Sequence, residues 1–254
     1  MRARKRFGQN FLTDPGVVDR INHAISPAAN QRILEIGPGQ GALTESLIRA
    51  GCNLTTVEID RDLSQMLRSK YPDLMIVEED ILKADLPALL SPLSRVVGNL
   101  PYNISTPLLF KLFMHMELIT DMHFMLQLEV VNRMAAGPSE SDYGRLSIMT
   151  RYYCDAEKLF EVPRGAFTPS PKVTSAIVRL TPTRREQVAT DVGMLEQLVT
   201  RAFSLRRKTI RNSFKGLLTM EQLVALDVDP GLRPENLDLE TYIRCANAIS
   251  QGAG

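Results

Sequence analysis

Between Arg32 and Ala136 the chain alternates short apolar runs with segments of helical spacing, and few folds accept that alternation. Residues 32–36, 53–58, 74–77, 95–97 and 122–126 are apolar or β-branched and bounded by turn residues, which predicts five strands. Residues 42–50, 61–70, 106–116 and 128–136 place apolar side chains at helical intervals, and Gly137-Pro138 closes the last of them. Parallel neighbours need a crossover, and crossover helices cover both faces of a sheet. The expected class is therefore α/β: a Rossmann-like, mostly parallel sheet with helices on both faces. Asp14-Pro15 reads as the cap and first position of an earlier helix running to about residue 25. Residues 176–180 give one more strand, bounded by Pro171 and Pro182. From about Arg184 only helical spacing remains, so Pro182 marks the expected division: residues 1–183 form the α/β domain and 184–254 a small all-α domain.

Composition matters mainly for what it excludes. At 44% hydrophobic and 23% charged, the chain can bury a sizeable core, and no run is long enough to span a bilayer. The basic start is not followed by a sustained apolar stretch, so export is rejected. Cys52, Cys154 and Cys245 are odd in number and widely spaced, which argues against a disulfide framework or zinc site and suits a reducing cytoplasm. His23, His115 and His123 show no ligand or triad spacing, so no metal is expected. The net charge of +1 hides two basic patches: Arg2, Arg4, Lys5 and Arg6, then Arg201, Arg206, Arg207, Lys208, Arg211 and Lys215, with no acid among residues 201–215. Either patch can meet phosphates locally, or be an ordinary solvated face.

The first strand ends in Glu35-Ile-Gly37-Pro-Gly39-Gln-Gly41, a loop that opens a helix. Glycines at such a turn let a ligand approach the backbone. Glu58 follows the next strand, where an acid commonly takes both ribose hydroxyls. Asp80 follows the third strand, placed to accept from an adenine amino group while Ile81 packs the ring. With Ala42 the loop also fits a dinucleotide fingerprint, so a nicotinamide or flavin enzyme is a rival on these residues alone. Glu35 favours a zwitterionic sulfonium ligand, because a pyrophosphate would be repelled by an added carboxylate.

Gly98-Asn99-Leu100-Pro101-Tyr102 sits at the end of the fourth strand, beside the crevice expected in such sheets. An exocyclic adenine nitrogen is a poor nucleophile, since its lone pair is delocalised into the ring. Acceptors for its N–H groups favour a pyramidal nitrogen, and the Asn99 side-chain oxygen and Leu100 carbonyl are candidates. Pro101 stiffens the turn, and Tyr102 offers a ring to stack on a flipped base. This is positioning plus electrostatics, with no strong base required. In isolation the motif reads equally well as a strand-end turn with a buried tyrosine.

Taken together these motifs resemble those of the ribosomal RNA adenine dimethyltransferases, the KsgA type in particular. The resemblance spans nearly the whole chain: residues 4–12, Glu35 to Gly39, 57–60, 98–105, 167–172 and 203–212, in that order. It implies an S-adenosylmethionine-dependent methyltransferase sheet, with the donor bound by Asn10, Leu12, Gly37, Glu58, Asp80 and Asn99. It implies two methyls on each of two adjacent adenosines in the 3′-terminal hairpin of small-subunit ribosomal RNA, during assembly of the small subunit. It also implies that Phe167 is a second aromatic at the target base. From the residues themselves, Phe167 lies in a Pro-rich loop expected to be stiff and surface-exposed. The departure is at the N-terminus, where the basic lead-in is shorter than in many members.

Arg4, Lys5, Arg6, Lys172, Arg206, Arg207, Lys208 and Arg211 are the candidate RNA contacts, giving affinity and salt dependence rather than base choice. Nothing in the sequence demands a dimer, so a monomer acting on a precursor particle is expected. Two alternatives stay open: a sibling enzyme that methylates a large-subunit adenine and confers macrolide resistance, and an RNA-binding assembly factor that retains the fold.

Overall fold

The computed structural model describes residues 9–90 and 93–252, so Arg4, Lys5 and Arg6 lie outside the described residues. The chain forms two compact units. The first takes the chain up to Val131 together with Ala156–Pro182, and the second takes Asn132–Asp155 with Thr183–Gly254.

Nine strands are present among the described residues: β1 (Phe11–Leu12), β2 (Arg32–Ile36), β3 (Asn53–Val57), β4 (Met75–Val77), β5 (Ser94–Asn99), β6 (Ile119–Gln127), β7 (Cys154–Val162), β8 (Phe167–Thr168) and β9 (Ser175–Pro182). Seven of them form one sheet in the order β4-β3-β2-β5-β6-β9-β7. The strands from β2 to β6 run parallel to their neighbours, and β9 runs antiparallel to β6. This is the mostly parallel sheet expected of the sequence. β2 and β5 are buried almost end to end, as strands covered on both faces must be, whereas the three-residue edge strand β4 is only partly covered. β1 and β8 pair separately, antiparallel, with Phe11 opposite Thr168 and Leu12 opposite Phe167.

The helices of this unit follow from local chemistry. α1 (Pro15–Ile25) begins where the Asp14 carboxylate accepts from the Gly16 and Val17 N–H groups, with proline at the position that needs no donor. It buries Val17, Ile21 and Ile25 on one stripe. α2 (Thr44–Arg49) follows the glycine loop, α3 (Arg61–Lys70) is capped by Asp60, and the short α4 (Leu86–Leu89) by Asp85. α5 (Ser105–Phe113) buries Leu108, Leu109, Leu112 and Phe113, and α6 (Leu128–Ala135) continues from β6, its residues from Asn132 belonging to the second unit. Because β3 and β5 flank β2 on opposite sides, the loops leaving β2 and β5 diverge, and a crevice opens at their C-terminal ends.

The second unit holds α7 (Arg145–Tyr153), α8 (Val192–Ser204), α9 (Ile210–Ser213), α10 (Met220–Ala225) and α11 (Leu239–Gly252). Its core joins Tyr143, Ile148, Leu198, Phe214, Tyr242 and Ile243. The two buried tyrosines keep their hydroxyls satisfied, Tyr143 donating to the Leu237 carbonyl and Tyr242 to that of Pro234, each at 2.9 Å. A single division between residues 183 and 184 therefore needs correction. Asn132–Asp155 packs with the later helices because Tyr143 and Ile148 are part of their core. No helix among the described residues is long and apolar enough to cross a membrane.

Candidate active site

A cavity of about 350 Å³ fills the crevice, floored by the ends of β2, β3 and β5. Asn10, Leu12, Gly37, Glu58, Asp80 and Asn99 all line it, as do Leu100, Pro101 and Tyr102. Residues scattered over ninety positions of sequence thus reach one pocket through five separate loops. Its size suits a small-molecule ligand.

The glycine loop makes room for both ligand and chain. Gly39 has a φ of +58°, and a Cβ there would press on the Phe11 ring at 3.2 Å. Phe11 and Leu12 thus lie against the loop, closing one side of the cavity with a two-residue strand. Gly98 is needed for a different reason. A Cβ there would sit 2.5 Å from the Ile36 carbonyl oxygen, so only glycine lets β5 lie this close to β2.

Four carboxylates line the pocket, Glu35, Glu58, Glu79 and Asp80, and three of them are each held differently. Glu58 is 5% exposed. Its Oε2 accepts from Gly39 N at 3.2 Å and its Oε1 from Asp60 N at 2.9 Å. Burial raises its pKa, and those backbone donors pull part of the way back. Asp80 is half-buried, and its Oδ1 accepts from Leu82 N at 3.0 Å, a local turn that fixes the carboxylate's heading. Glu35 is 2% exposed and accepts from the Thr44 hydroxyl at 2.7 Å. Burial pushes its pKa up to about 7, Thr44 works against that, and the nearby Glu58 adds to it.

Asn99 is the last residue of β5, and its Nδ2 donates to the Asn10 carbonyl at 3.1 Å. That bond orients the amide and turns Oδ1, its acceptor, to the other side. Leu100 N donates to the Met125 carbonyl at 3.2 Å, which ties the start of the motif to β6. The Pro101 carbonyl accepts from Ile104 N at 3.1 Å and closes the turn. The Tyr102 hydroxyl lies 2.7 Å from Ser175 Oγ, so the first residue of β9 sets the ring's orientation. Burial raises the phenol's pKa and the bond to Ser175 lowers it in part. Asn10, Thr44 and Ser175 are thus positioning groups, two of them with no sequence signal at all. Their roles depend on contacts across 89, 9 and 73 residues.

Phe167 corrects an expectation. It is 4% exposed, not a surface residue, and packs in an apolar cluster with Leu12, Val17 and Ala166. The reason is the β1–β8 pairing, which sets Phe167 opposite Leu12 and brings it next to the strand that closes the cavity.

The basic candidates divide. Lys172, Arg207, Lys208 and Arg211 are exposed, and no ion pair involves them among the described residues. Arg206 is committed within its own unit, donating to the Ser141 carbonyl at 2.9 Å and lying 3.7 Å from the Glu235 carboxylate. Although residues 201–215 carry no acid, folding supplies one. Among the described residues no cluster of His, Cys, Asp or Glu is arranged to hold a metal ion.

Comparison with known proteins gives a concordant result. A family model described as ribosomal RNA adenine dimethylase matches residues 1–251. The chain is 53% identical to the ribosomal RNA small subunit methyltransferase A of Hahella chejuensis, over 97% of this chain and 93% of that protein. It is also 53% identical to the protein of the same name from Pseudomonas aeruginosa, over 100% and 97%. Among solved structures, a dimethyladenosine transferase from Plasmodium falciparum superposes with a TM-score of 0.83 at 28% identity, covering 96% of this chain and 98% of that one. The 23S ribosomal RNA methyltransferase ErmE gives 0.73 at 27%, covering 95% and 100%.

Proposed function

This chain belongs to the ribosomal RNA adenine dimethylase family, and on that premise we propose that it dimethylates N6 of two adjacent adenosines in the 3′-terminal hairpin of small-subunit ribosomal RNA. It is an S-adenosylmethionine-dependent enzyme whose substrate is ribosomal RNA. The single observation that carries the mechanism is the hydrogen bond from Asn99 Nδ2 to the Asn10 carbonyl, because it leaves Oδ1 as the acceptor presented at the end of β5.

The residues present fit the donor. Glu58 offers a carboxylate to ribose hydroxyls, Asp80 accepts from the adenine amino group, and Ile81 packs the ring. Gly37 and the neighbouring backbone leave space for the methionine part, with Asn10 and Leu12 closing the cavity over it. When bound, S-adenosylmethionine supplies a methyl group made electrophilic by the positive sulfur. The protein's task is to prepare the nucleophile. Asn99 Oδ1 and the Leu100 carbonyl accept the N6 hydrogens and draw the lone pair out of conjugation. The Tyr102 ring stacks on the flipped base, held at its hydroxyl end by Ser175, and we assign the second aromatic to Phe167, which is paired with Leu12 and lies outside the cavity lining. After one methylation a single N6 hydrogen remains, and one acceptor suffices to orient it for the second.

The small-subunit assignment rests on identity: relatives of that name match at 53%, against 27% for the large-subunit enzyme ErmE. We assign the chemistry to the sheet unit and RNA backbone contact to the helical unit, through Arg207, Lys208 and Arg211, with Lys172 contributing from the sheet unit. The enzyme works as a monomer on a precursor of the small subunit in the cytoplasm. Transfer of labelled methyl to unmodified small subunits, followed by nucleotide mapping, tests this. Two neighbouring N6,N6-dimethyladenosines are expected. Label confined to large subunits, or its absence from adenine N6, would overturn the assignment.

A further inference from the structure

Lys111 stands on α5, the helix that begins three residues after Tyr102, yet its side chain serves another loop. Its Nζ donates to the carbonyls of Ile81 and Leu82, each at 3.1 Å, and of Ala84 at 2.5 Å. An ammonium has three donors, and all three are spent on one turn. That turn begins at Asp80, whose own carbonyl accepts from Lys83 N at 2.8 Å and Ala84 N at 2.9 Å. The carbonyls of Ile81, Leu82 and Ala84 converge on one side, a concentration of partial negative charge that a half-buried cation answers. No carboxylate pairs with Lys111 among the described residues, so an ion pair does not account for its placement.

The turn is part of the site. Asp80, Ile81 and Leu82 line the cavity, and Asp80 Oδ1 is itself held by Leu82 N, on the residue whose carbonyl Lys111 grips. We propose that Lys111 is a positioning residue for the adenine end of the methyl donor. It fixes residues 80–84 so that the Asp80 carboxylate meets the 6-amino group, and it joins that turn to the helix extending from Asn99–Ile104. The adenine contact and the catalytic motif are thereby held in one frame. This inference deepens the donor-binding reading and rests on it.

The test compares two ligands on two variants. S-adenosylhomocysteine and its purine riboside analogue, with hydrogen in place of the 6-amino group, are titrated against wild type, Lys111→Met and Lys111→Gln. Wild type is expected to prefer the amino ligand by about tenfold, the worth of one well-placed polar contact of about 1.4 kcal/mol. In Lys111→Met, affinity for S-adenosylhomocysteine falls about tenfold while the analogue is nearly unaffected, because a misplaced Asp80 costs only the ligand that uses it. Lys111→Gln, which keeps a donor, falls between. Equal losses for both ligands, unchanged affinity, or failure of both variants to fold would each overturn the positioning role. Absence of wild-type binding would instead overturn the donor assignment.

Discussion

Replacing Glu35 with glutamine isolates one electrostatic cost built into the site. The carboxyl is fully buried, and its pKa in the folded chain is about 7 against an ordinary 4.5. Each pH unit of difference corresponds to about 1.4 kcal/mol, so keeping Glu35 ionised in the folded state costs about 3 kcal/mol once pH exceeds 7. The folded state holds this proton more tightly than the unfolded chain. The group's favourable contribution is therefore complete below pH 4.5, is lost between 4.5 and 7, and changes no further above that. Glutamine is close in shape, has no charge to lose, and still offers an oxygen to the Thr44 hydroxyl. Urea unfolding of ligand-free protein at pH 5, 6, 7 and 8 is the assay. Relative to wild type, Glu35→Gln should gain about 2.5 kcal/mol between pH 5 and pH 8, with most of the change below 7. Two stability curves that stay parallel across this range would refute the argument. A linked effect is expected in binding. A cationic donor favours the ionised carboxyl, so wild-type affinity for S-adenosylmethionine should rise as pH passes through 7, and that of Glu35→Gln should not.

Gly98→Ala should destabilise by about 1–3 kcal/mol, since the new methyl meets the Ile36 carbonyl at 2.5 Å and neither strand can move without breaking register; thermal unfolding measures it, and kcat should fall as Asn99 is displaced. Tyr102→Phe keeps the stacking ring but loses the Ser175 bond, a cost of about 1 kcal/mol in stability. Tyr102→Ala should in addition lose roughly 1–3 kcal/mol of base stacking, read as a fall in kcat/KM for RNA with donor affinity kept. Reversing Arg207, Lys208 and Arg211 to glutamate should weaken RNA binding and flatten its logarithmic salt dependence by about 2 in slope, if all three meet phosphates. Unchanged salt dependence would assign those cations to solvent.

The sheet was legible because its signals are local. Six of its seven strands carry their own apolar run, and some helices their own cap or closing glycine, as Asp14 and Gly137 illustrate; β7, half-exposed and without such a run, was not legible. Where the sequence reading went wrong, the deciding contact was distant. Phe167 looked exposed because its neighbours are prolines, yet pairing with Leu12 across more than 150 residues buries it. Residues 137–155 carry no unusual composition, so nothing in them announces that Tyr143 and Ile148 belong with helices starting some fifty residues later. Arg206 looked like a free cation until folding placed Glu235 beside it.

The same contrast explains which parts of the site were readable. Asn99 ends a strand and Glu58 and Asp80 follow theirs, and strand ends of a parallel sheet converge on one crevice, so position along the sequence already implied position in space. The groups that aim them do not share this property. The Asn10 carbonyl is a backbone atom, present at every residue, and only its placement by the β1–β8 pair makes it the partner that turns Asn99. Lys111 gives no hint in the helical pattern of α5, because its acceptors are also backbone carbonyls, in a loop about thirty residues away. Side-chain chemistry is written in the sequence, whereas backbone chemistry acquires specificity only from the fold. A proline replacing Leu12 should therefore impair catalysis by releasing Asn99. It would restrict the preceding backbone, and activity lost without loss of the main sheet's circular dichroism would be the expected signature.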